Sequence, residues 1–342
     1  MTFFKTIKYG LMPLLLITLF SFCDIAYADG MGYSVKAIIP DNQIDKTKTY
    51  FDLKMSPGQT QSIELEINSS SSESLNLAIE PYIATTNQNG ELEYSVEPEK
   101  NDSTLVYPIT RLISGKQTIT LAPKETKRVT FGLKMSKKAF DGKIVGGFNV
   151  YEPTKETTKE SKSKTNDVQI KNVFSIVIGI QLRESLAKIK PELKLNAVKA
   201  GLFNYRTAIT ANIQNIKPDF VSDLNVVAKI RKNGSKKVLY ETEKTAMAMA
   251  PNSNFDLPIL LENQEIAAGS YEVELAAQTK NDNWTFTKKF RITEEEAARF
   301  NEEALELETK PTNTLMIIII AVVSLVFVIL IGMVIALWHR KK

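Results

Sequence analysis

Polar and apolar residues alternate along Ser62-Ile63-Glu64-Leu65-Glu66-Ile67, so every second side chain would lie on one face of an extended segment. This period of two predicts a half-buried β-strand. The same alternation recurs at residues 75–79, 118–121 and 128–133. Turn-forming residues separate these runs at the spacing typical of an antiparallel β-sandwich.

Two more apolar stretches, 144–151 and 173–182, predict central strands of the same sandwich. The segment between them, 153–167, is rich in Lys, Glu, Thr and Ser and has almost no apolar residue. We interpret this segment as a hairpin excursion between partner strands, with an interdomain linker as the alternative. The first domain is therefore predicted to span 31–183.

Further strand patterns follow at 206–215, 224–231, 271–277 and 284–292, and they predict a second sandwich over 192–293. Thr293 precedes three glutamates, which is the signature of a capping box at a helix start. The sequence therefore predicts an amphipathic helix over 294–310, either packed on the second sandwich or serving as a stalk.

Both ends of the chain carry targeting signals. Residues 1–28 have basic residues, an apolar stretch and the cleavage pattern Ala26-Tyr27-Ala28, which predicts a secretory signal peptide. Lipidation of Cys23 is the alternative, but the bulky Phe22 precedes that cysteine. Residues 315–338 carry no charge and predict one transmembrane helix, with a buried core helix as the alternative.

The basic residues in 339–342 predict a cytoplasmic tail, which makes the chain a single-pass type I membrane protein with an extracellular ectodomain. The complete fold prediction is a mainly β protein with two tandem immunoglobulin-like β-sandwich domains, a short juxtamembrane helix and one transmembrane α-helix.

The composition of the chain excludes several classes of function. Its only histidine is His339 and its only cysteine is Cys23, so a catalytic triad or a zinc site of His and Cys cannot form between the two ends. Acidic and basic residues balance within 29–311, which argues against nucleic-acid binding. We predict no enzyme activity, no catalytic residue, no cofactor and no metal site, although carboxylate chemistry and an all-oxygen calcium site stay open without a signature.

Several ordered motifs resemble the WxL-interacting proteins of Gram-positive bacteria, and the likeness runs from about Tyr33 to the C-terminus. They include Ile39-Pro40-Asp41-Asn42-Gln43, Pro57-Gly58-Gln59, Asp141-Gly142-Lys143-Ile144-Val145-Gly146-Gly147, Met249-Ala250-Pro251-Asn252-Ser253-Asn254-Phe255 and Ala268-Gly269-Ser270-Tyr271. The resemblance implies a peptidoglycan-binding first domain, a second domain that binds host proteins, and partnership with secreted WxL proteins. It carries no catalytic motif.

Three groups of residues are candidates for binding. Asn87, Gln88 and Asn89 offer amides to a glycan, although hairpin-turn chemistry explains them equally well. Tyr82 and Tyr94 belong to a set of aromatic residues that could form a sugar-stacking face, with core packing as the alternative. The last group, which could form either a protein interface or a turn, consists of Asn252, Ser253 and Asn254.

The leading functional hypothesis is a membrane-anchored, non-catalytic adaptor that binds secreted WxL proteins and peptidoglycan within the Gram-positive cell wall. A host-matrix adhesin acting through the second domain is the alternative. A carboxylate-dependent wall hydrolase is a third hypothesis, since Asp and Glu pairs, beside a lysine base, are catalytic chemistry that the composition leaves open.

Overall fold

The computed structural model describes residues 31–153, 174–305, 307, 322–326, 329 and 331. The predicted signal peptide, the cytoplasmic tail, most of the 153–167 excursion and most of the 315–338 span lie outside these residues. Among the residues that are described, no helix is long and apolar enough to cross a membrane.

The described chain is built mainly of β-strands. The predicted strands lie within observed ones, except that the predicted stretch 173–182 starts before the observed strand Ser175–Arg183. The prediction of a mainly β protein is confirmed. The strands are β1 (Tyr33–Ile38), β2 (Phe51–Lys54), β3 (Thr60–Ser69), β4 (Leu75–Ile83), β5 (Thr85–Thr86), β6 (Leu92–Glu93), β7 (Gln117–Leu121), β8 (Thr126–Lys134), β9 (Ile144–Tyr151), β10 (Ser175–Arg183), β11 (Leu193–Phe203), β12 (Arg206–Asn215), β13 (Val221–Lys232), β14 (Val238–Met249), β15 (Ser253–Leu260), β16 (Gly269–Gln278) and β17 (Asn283–Ile292). A short 3-10 helix (Ile109–Arg111) and one α-helix, α1 (Glu294–Glu303), complete the described elements.

The chain divides into two compact units. Among the described residues, the first unit comprises 31–83, Tyr107–Phe140, 145–153 and 174–184, and the second comprises Ala84–Val106, Asp141–Ile144 and 185–305. The segment 84–106, which the sequence analysis placed inside the first sandwich, therefore belongs to the second unit.

In the first unit a three-stranded sheet, β1-β3-β8, faces a five-stranded sheet, β2-β10-β9-β4-β7. The alternation in β3 has the predicted effect, because Ile63, Leu65 and Ile67 are all buried. The rings of Phe131 on β8 and Phe148 on β9 lie 4.7 Å apart, centroid to centroid, which shows that the two sheets share one core.

In the second unit the three-stranded sheet β11-β12-β15 faces the four-stranded sheet β14-β13-β16-β17. One apolar cluster joins the two sheets, with Ile213 and Leu257 from the first and Val226 and Leu275 from the second, each with no exposed surface. The small sheet β5-β6 belongs to this unit as a hairpin excursion.

Helix α1 starts with the predicted capping box, since the Thr293 hydroxyl accepts from the Glu296 amide and the Glu296 side chain accepts from the Thr293 amide. The helix ends at Glu303, well before the predicted end at residue 310. Ala304 turns to an extended conformation, and the amide of Leu305 then donates to the carbonyl of Tyr205 at 2.8 Å. A hydrogen bond to the sandwich thus replaces the next helical bond.

Candidate functional site

The first predicted group of amides lies at the tip of the β5-β6 hairpin. The Asn87 side-chain oxygen accepts from the amide of Asn89 at 2.9 Å and from the amide of Glu91 at 3.1 Å. Gly90 has a φ of +76°, which a glycine adopts at little cost. The turn interpretation is therefore correct for these residues, and the turn also fixes the backbone that carries the exposed side chains of Gln88 and Asn89.

The hairpin docks on the second sandwich through backbone and hydroxyl contacts. The carbonyl of Gly90 accepts from the amide of Ala248 at 2.7 Å. The Thr86 and Ser253 hydroxyl oxygens lie 2.7 Å apart, and the Ala250 amide donates to Thr86 Oγ1 at 3.0 Å. Ser253, a predicted site residue, is therefore a buried anchor of the hairpin.

Asp102 forms a second attachment between the 84–106 segment and the sandwich. Its carboxylate accepts from Gln214 Nε2 at 2.9 and 3.0 Å, from Asn254 Nδ2 at 2.6 Å, and from the amide and hydroxyl of Thr104 at 2.8 and 2.7 Å. Partial burial alone would raise the pKa of Asp102, but the hydrogen bonds from Thr104, Asn254 and Gln214 outweigh it and hold that pKa below its usual value. Asn252 adds to the same attachment by donating a hydrogen bond to Thr104 Oγ1 at 3.0 Å.

A row of side-chain amides crosses the β11-β12-β15 sheet. Asn196 Nδ2 donates to Asn212 Oδ1 at 2.9 Å, and Asn212 Nδ2 donates to Asn254 Oδ1 at 3.0 Å and to Asp256 Oδ1 at 2.8 Å. The carboxylates of Asp102 and Asp256 accept at the end of this row, which orients the amides in one direction. The row is therefore rigid before any ligand arrives.

A cleft of about 570 Å³ lies between the hairpin tip and this amide row, entirely within the second unit. Its size is that of ordinary small-ligand sites. The lining residues are mostly polar, and they are Thr86, Asn87, Gln88, Asn89, Glu93, Phe203, Asn204, Asn212, Asn254, Phe255 and Asp256.

The cleft lining is acidic. Glu93 and Asp256 contribute carboxylates, and the lining includes no lysine or arginine. Asp256 is paired with Lys199, whose Nζ lies 3.9 Å from Asp256 Oδ2 on a side chain that is 62% exposed. Such an exposed pair is weak and leaves the negative charge of Asp256 largely in place.

Tyr82 lies elsewhere, in a polar cluster of the first unit. There Glu80 accepts from Lys116 Nζ and from the Tyr151 hydroxyl, both at 2.9 Å. Burial opposes ionisation of Glu80, but these hydrogen bonds outweigh it and lower the pKa of Glu80. Burial and the Glu80 charge raise the pKa of Tyr82 to about 12. The charged groups of the cluster are paired with one another, so we interpret the cluster as a structural contact of the sheet.

The structure thus brings together two predicted groups that stand far apart in sequence. The cleft is lined by Asn87, Gln88, Asn89 and Asn254. Two neighbours, Asn252 and Ser253, form hydrogen bonds that attach the 84–106 segment to the sandwich. Tyr94 lies on the same 84–106 segment and is partly buried, but it does not line the cleft.

Sequence reasoning missed Asp102, Glu93, Phe203, Asn212 and Asp256. A signal for two of them was present, because Asn212 falls between apolar residues of β12 and Asp256 between apolar residues of β15. Polar residues at alternate positions of an apolar strand mark a polar face. Among the described residues, no group of three or more His, Cys, Asp and Glu side chains is placed to hold a metal ion.

Two family models match the chain in tandem. The peptidoglycan binding domain of WxL Interacting Protein matches residues 33–152, and the host binding domain of WxL Interacting Protein matches residues 165–302. The cleft draws residues from both matches, since the hairpin tip lies in the first range and the amide row in the second.

Solved structures with some likeness to the chain are distant from it. The E. coli chaperone DraB is 12% identical, with 70% of this chain and 89% of that chain covered at a TM-score of 0.25. The YadV chaperone is 12% identical, with 77% and 100% covered at a TM-score of 0.27. The PapD-like domain 7 of human CEP192 is 11% identical, with 46% and 88% covered at a TM-score of 0.24. No curated protein matches the chain.

Proposed function

Because this chain belongs to the WxL-interacting protein family, we propose that it is a non-catalytic, membrane-anchored adaptor of the cell surface that binds secreted WxL proteins and peptidoglycan. The observation that carries the proposal is the tandem match of one peptidoglycan-binding and one host-binding domain. Both matched domains are binding domains, and together they account for nearly all of the described chain.

The chemistry of the chain supports binding without catalysis. Its single histidine and single cysteine stand at positions 339 and 23, outside both matched ranges. Two tandem immunoglobulin-like sandwiches offer strand edges instead, and in the sheets of the described residues β7 and β17 are edge strands. An extended segment of a partner can add to such an edge through backbone hydrogen bonds.

The proposal also includes the location of the chain at the cell membrane. A signal peptide over 1–28 would export the chain, the apolar run 315–338 would anchor it, and the basic tail 339–342 would stay in the cytoplasm. The ectodomain, with its two sandwiches and the 84–106 segment attached to the second, would then lie within the cell wall, where peptidoglycan and secreted WxL proteins are both in reach.

A pulldown tests the adaptor directly. The full-length chain, purified in detergent and immobilised, is incubated separately with a secreted WxL protein and with purified cell-wall sacculi, beside an unrelated anchored protein as control bait. We expect specific retention of both. Loss of both down to the level of the control bait would contradict the adaptor function.

The host-binding match over 165–302 favours a second candidate, an adhesin for host matrix proteins. Solid-phase binding of the full-length chain to immobilised matrix proteins should then be saturable and should disappear when the chain is unfolded by heat. Binding that does not saturate, or that survives unfolding, would remove this candidate.

A further inference from the structure

We propose that the cleft between the β5-β6 hairpin and the amide row of the second unit is a binding site for an uncharged or amine-bearing saccharide. The inference goes beyond the adaptor function, because it assigns a ligand class to one defined cavity, whose lining comes from both matched ranges. Four properties of the cleft carry it.

The first property is the chemistry of the lining. Each amide of Gln88, Asn89 and Asn204 offers two N–H donors and one carbonyl acceptor, and the carboxylates of Glu93 and Asp256 accept. Sugar hydroxyl groups donate and accept at once, so a wall that alternates both functions suits them. An apolar ligand would leave these groups without partners, at a cost in binding free energy.

The second property is charge. The lining contains two carboxylates and no basic residue. A phosphate, sulfate or carboxylate on the ligand would meet like charge, which the exposed Lys199 beside Asp256 offsets only weakly. Uncharged hydroxyl and acetamido groups carry no such penalty, and an amino group would be attracted. The cleft therefore selects against acidic polymers.

The third property is rigidity on both walls. Asn212 and Asn254 are oriented by their bonds to Asp256 and Asp102 at 2.8 and 2.6 Å. The opposite wall is held by the Gly90 carbonyl, which accepts from Ala248 at 2.7 Å. Side chains that are ordered before binding lose less conformational entropy when the ligand arrives.

The fourth property is an apolar surface beside the polar groups. Phe203 lines the cleft at the end of β11 and is only partly buried. The C–H face of a sugar ring packs on aromatic carbon, while its hydroxyl groups turn to the amides. A volume of about 570 Å³ holds a short oligosaccharide.

The test is an array of printed oligosaccharides probed with the full-length chain in detergent, followed by titration. Three probes separate the ligand sources: an N-acetylglucosamine trimer represents wall-type glycan, N-acetyllactosamine represents host glycoproteins, and sialyllactose is the acidic comparison. We expect saturable binding to one of the first two and none to sialyllactose.

Two variants locate the binding. In the double variant Gln88→Ala with Asn89→Ala, two exposed amides are lost from the turn while its backbone bonds remain, and affinity should fall about tenfold. Asp256→Asn keeps an acceptor for Asn212 but removes the charge, and affinity should fall about 10- to 100-fold. The matched control is Asn281→Ala, an exposed turn asparagine of the same unit outside the cleft, which should leave affinity unchanged.

Preference for acidic glycans, or binding that both cleft variants leave intact, would overturn the proposal. So would failure of every neutral and amino saccharide on the array. If the chain still retained a WxL protein and sacculi in that case, the adaptor function would stand and only the saccharide site would fall.

Discussion

Gly90→Ala should loosen the hairpin from the second sandwich without altering the sandwich itself. A Cβ at this position would clash with Met247 Sδ and would lie 2.6 Å from its Cγ and 2.8 Å from its Cβ. Met247 is only 3% exposed, so its side chain has little room to withdraw. The φ of +76° adds backbone strain for any residue with a Cβ.

The two costs can be separated with a matched control. Gly234 has a φ of +81°, but a Cβ there would meet no atom within 4 Å. Gly234→Ala should therefore cost only the backbone strain, about 1–2 kcal/mol. Gly90→Ala should add the steric cost of overpacking, about 1–3 kcal/mol more. The difference between the variants measures the contact with Met247.

Hydrogen exchange at the amide of Ala248 is the direct readout, because this amide donates to the Gly90 carbonyl. In Gly90→Ala it should exchange about 5- to 150-fold faster than in Gly234→Ala, which corresponds to the added steric cost. Equal protection of Ala248 in the two variants would refute the argument that Gly90 is required for docking. Loss of saccharide binding in Gly90→Ala alone would connect docking to the cleft.

Three further substitutions test local features of the fold. The folded-state pKa of Glu80 lies below the ordinary glutamate pKa, so ionised Glu80 stabilises the fold above the ordinary pKa, and this stabilisation is lost as pH falls through the folded pKa. In urea denaturation, the difference in unfolding free energy between the wild type and Glu80→Gln should therefore close as pH drops from about 5 to 3. A constant difference would contradict the ion cluster. Tyr205 is 66% exposed and has a φ of +60° in the β11-β12 turn, a conformation that strains a residue with a Cβ. Tyr205→Gly should therefore raise the unfolding free energy of the second unit by about 1 kcal/mol or less. A lower urea midpoint would contradict strain at this turn. Thr293→Ala removes the side-chain cap of α1 and should destabilise that helix by about 1 kcal/mol, seen as faster amide exchange at Glu296; unchanged exchange would show that docking alone holds the helix start.

Local patterns predicted most of the elements of the two sandwiches because their physical causes are local. The alternation over 62–67 buries three side chains of β3 in the core of the first sandwich. Thr293 and Glu296 form a capping box within one helical turn. Strand β14 shows where such patterns fail. Its central residues, 241–244, are Glu, Thr, Glu and Lys, so the strand lacks a clear apolar alternation and is held by pairing with β13.

The helix end shows a second failure of local reasoning. Apolar spacing through Leu307 and the stop at Lys310-Pro311 extended the predicted helix to residue 310, but α1 ends at Glu303, where Leu305 donates to Tyr205 instead. Asn301 also bonds both the amide and the carbonyl of Ile266, at 2.8 and 3.0 Å. Contacts with a distant turn outweigh helix propensity when the last turn has little apolar surface to bury.

The amino-acid sequence by itself determined the strand period, the turns, the helix cap and the absence of histidine and cysteine between the chain ends, since each follows from neighbouring residues or from composition. Only the tertiary structure decided that 84–106 joins the second sandwich, and with it that Asn89 and Asn254 face one cleft. The reason is that this docking depends on single hydrogen bonds and one close glycine contact between residues far apart in sequence, such as Thr86 and Ser253, which are 167 positions apart. Such contacts leave no periodic trace in either segment, whereas burial of a strand face does.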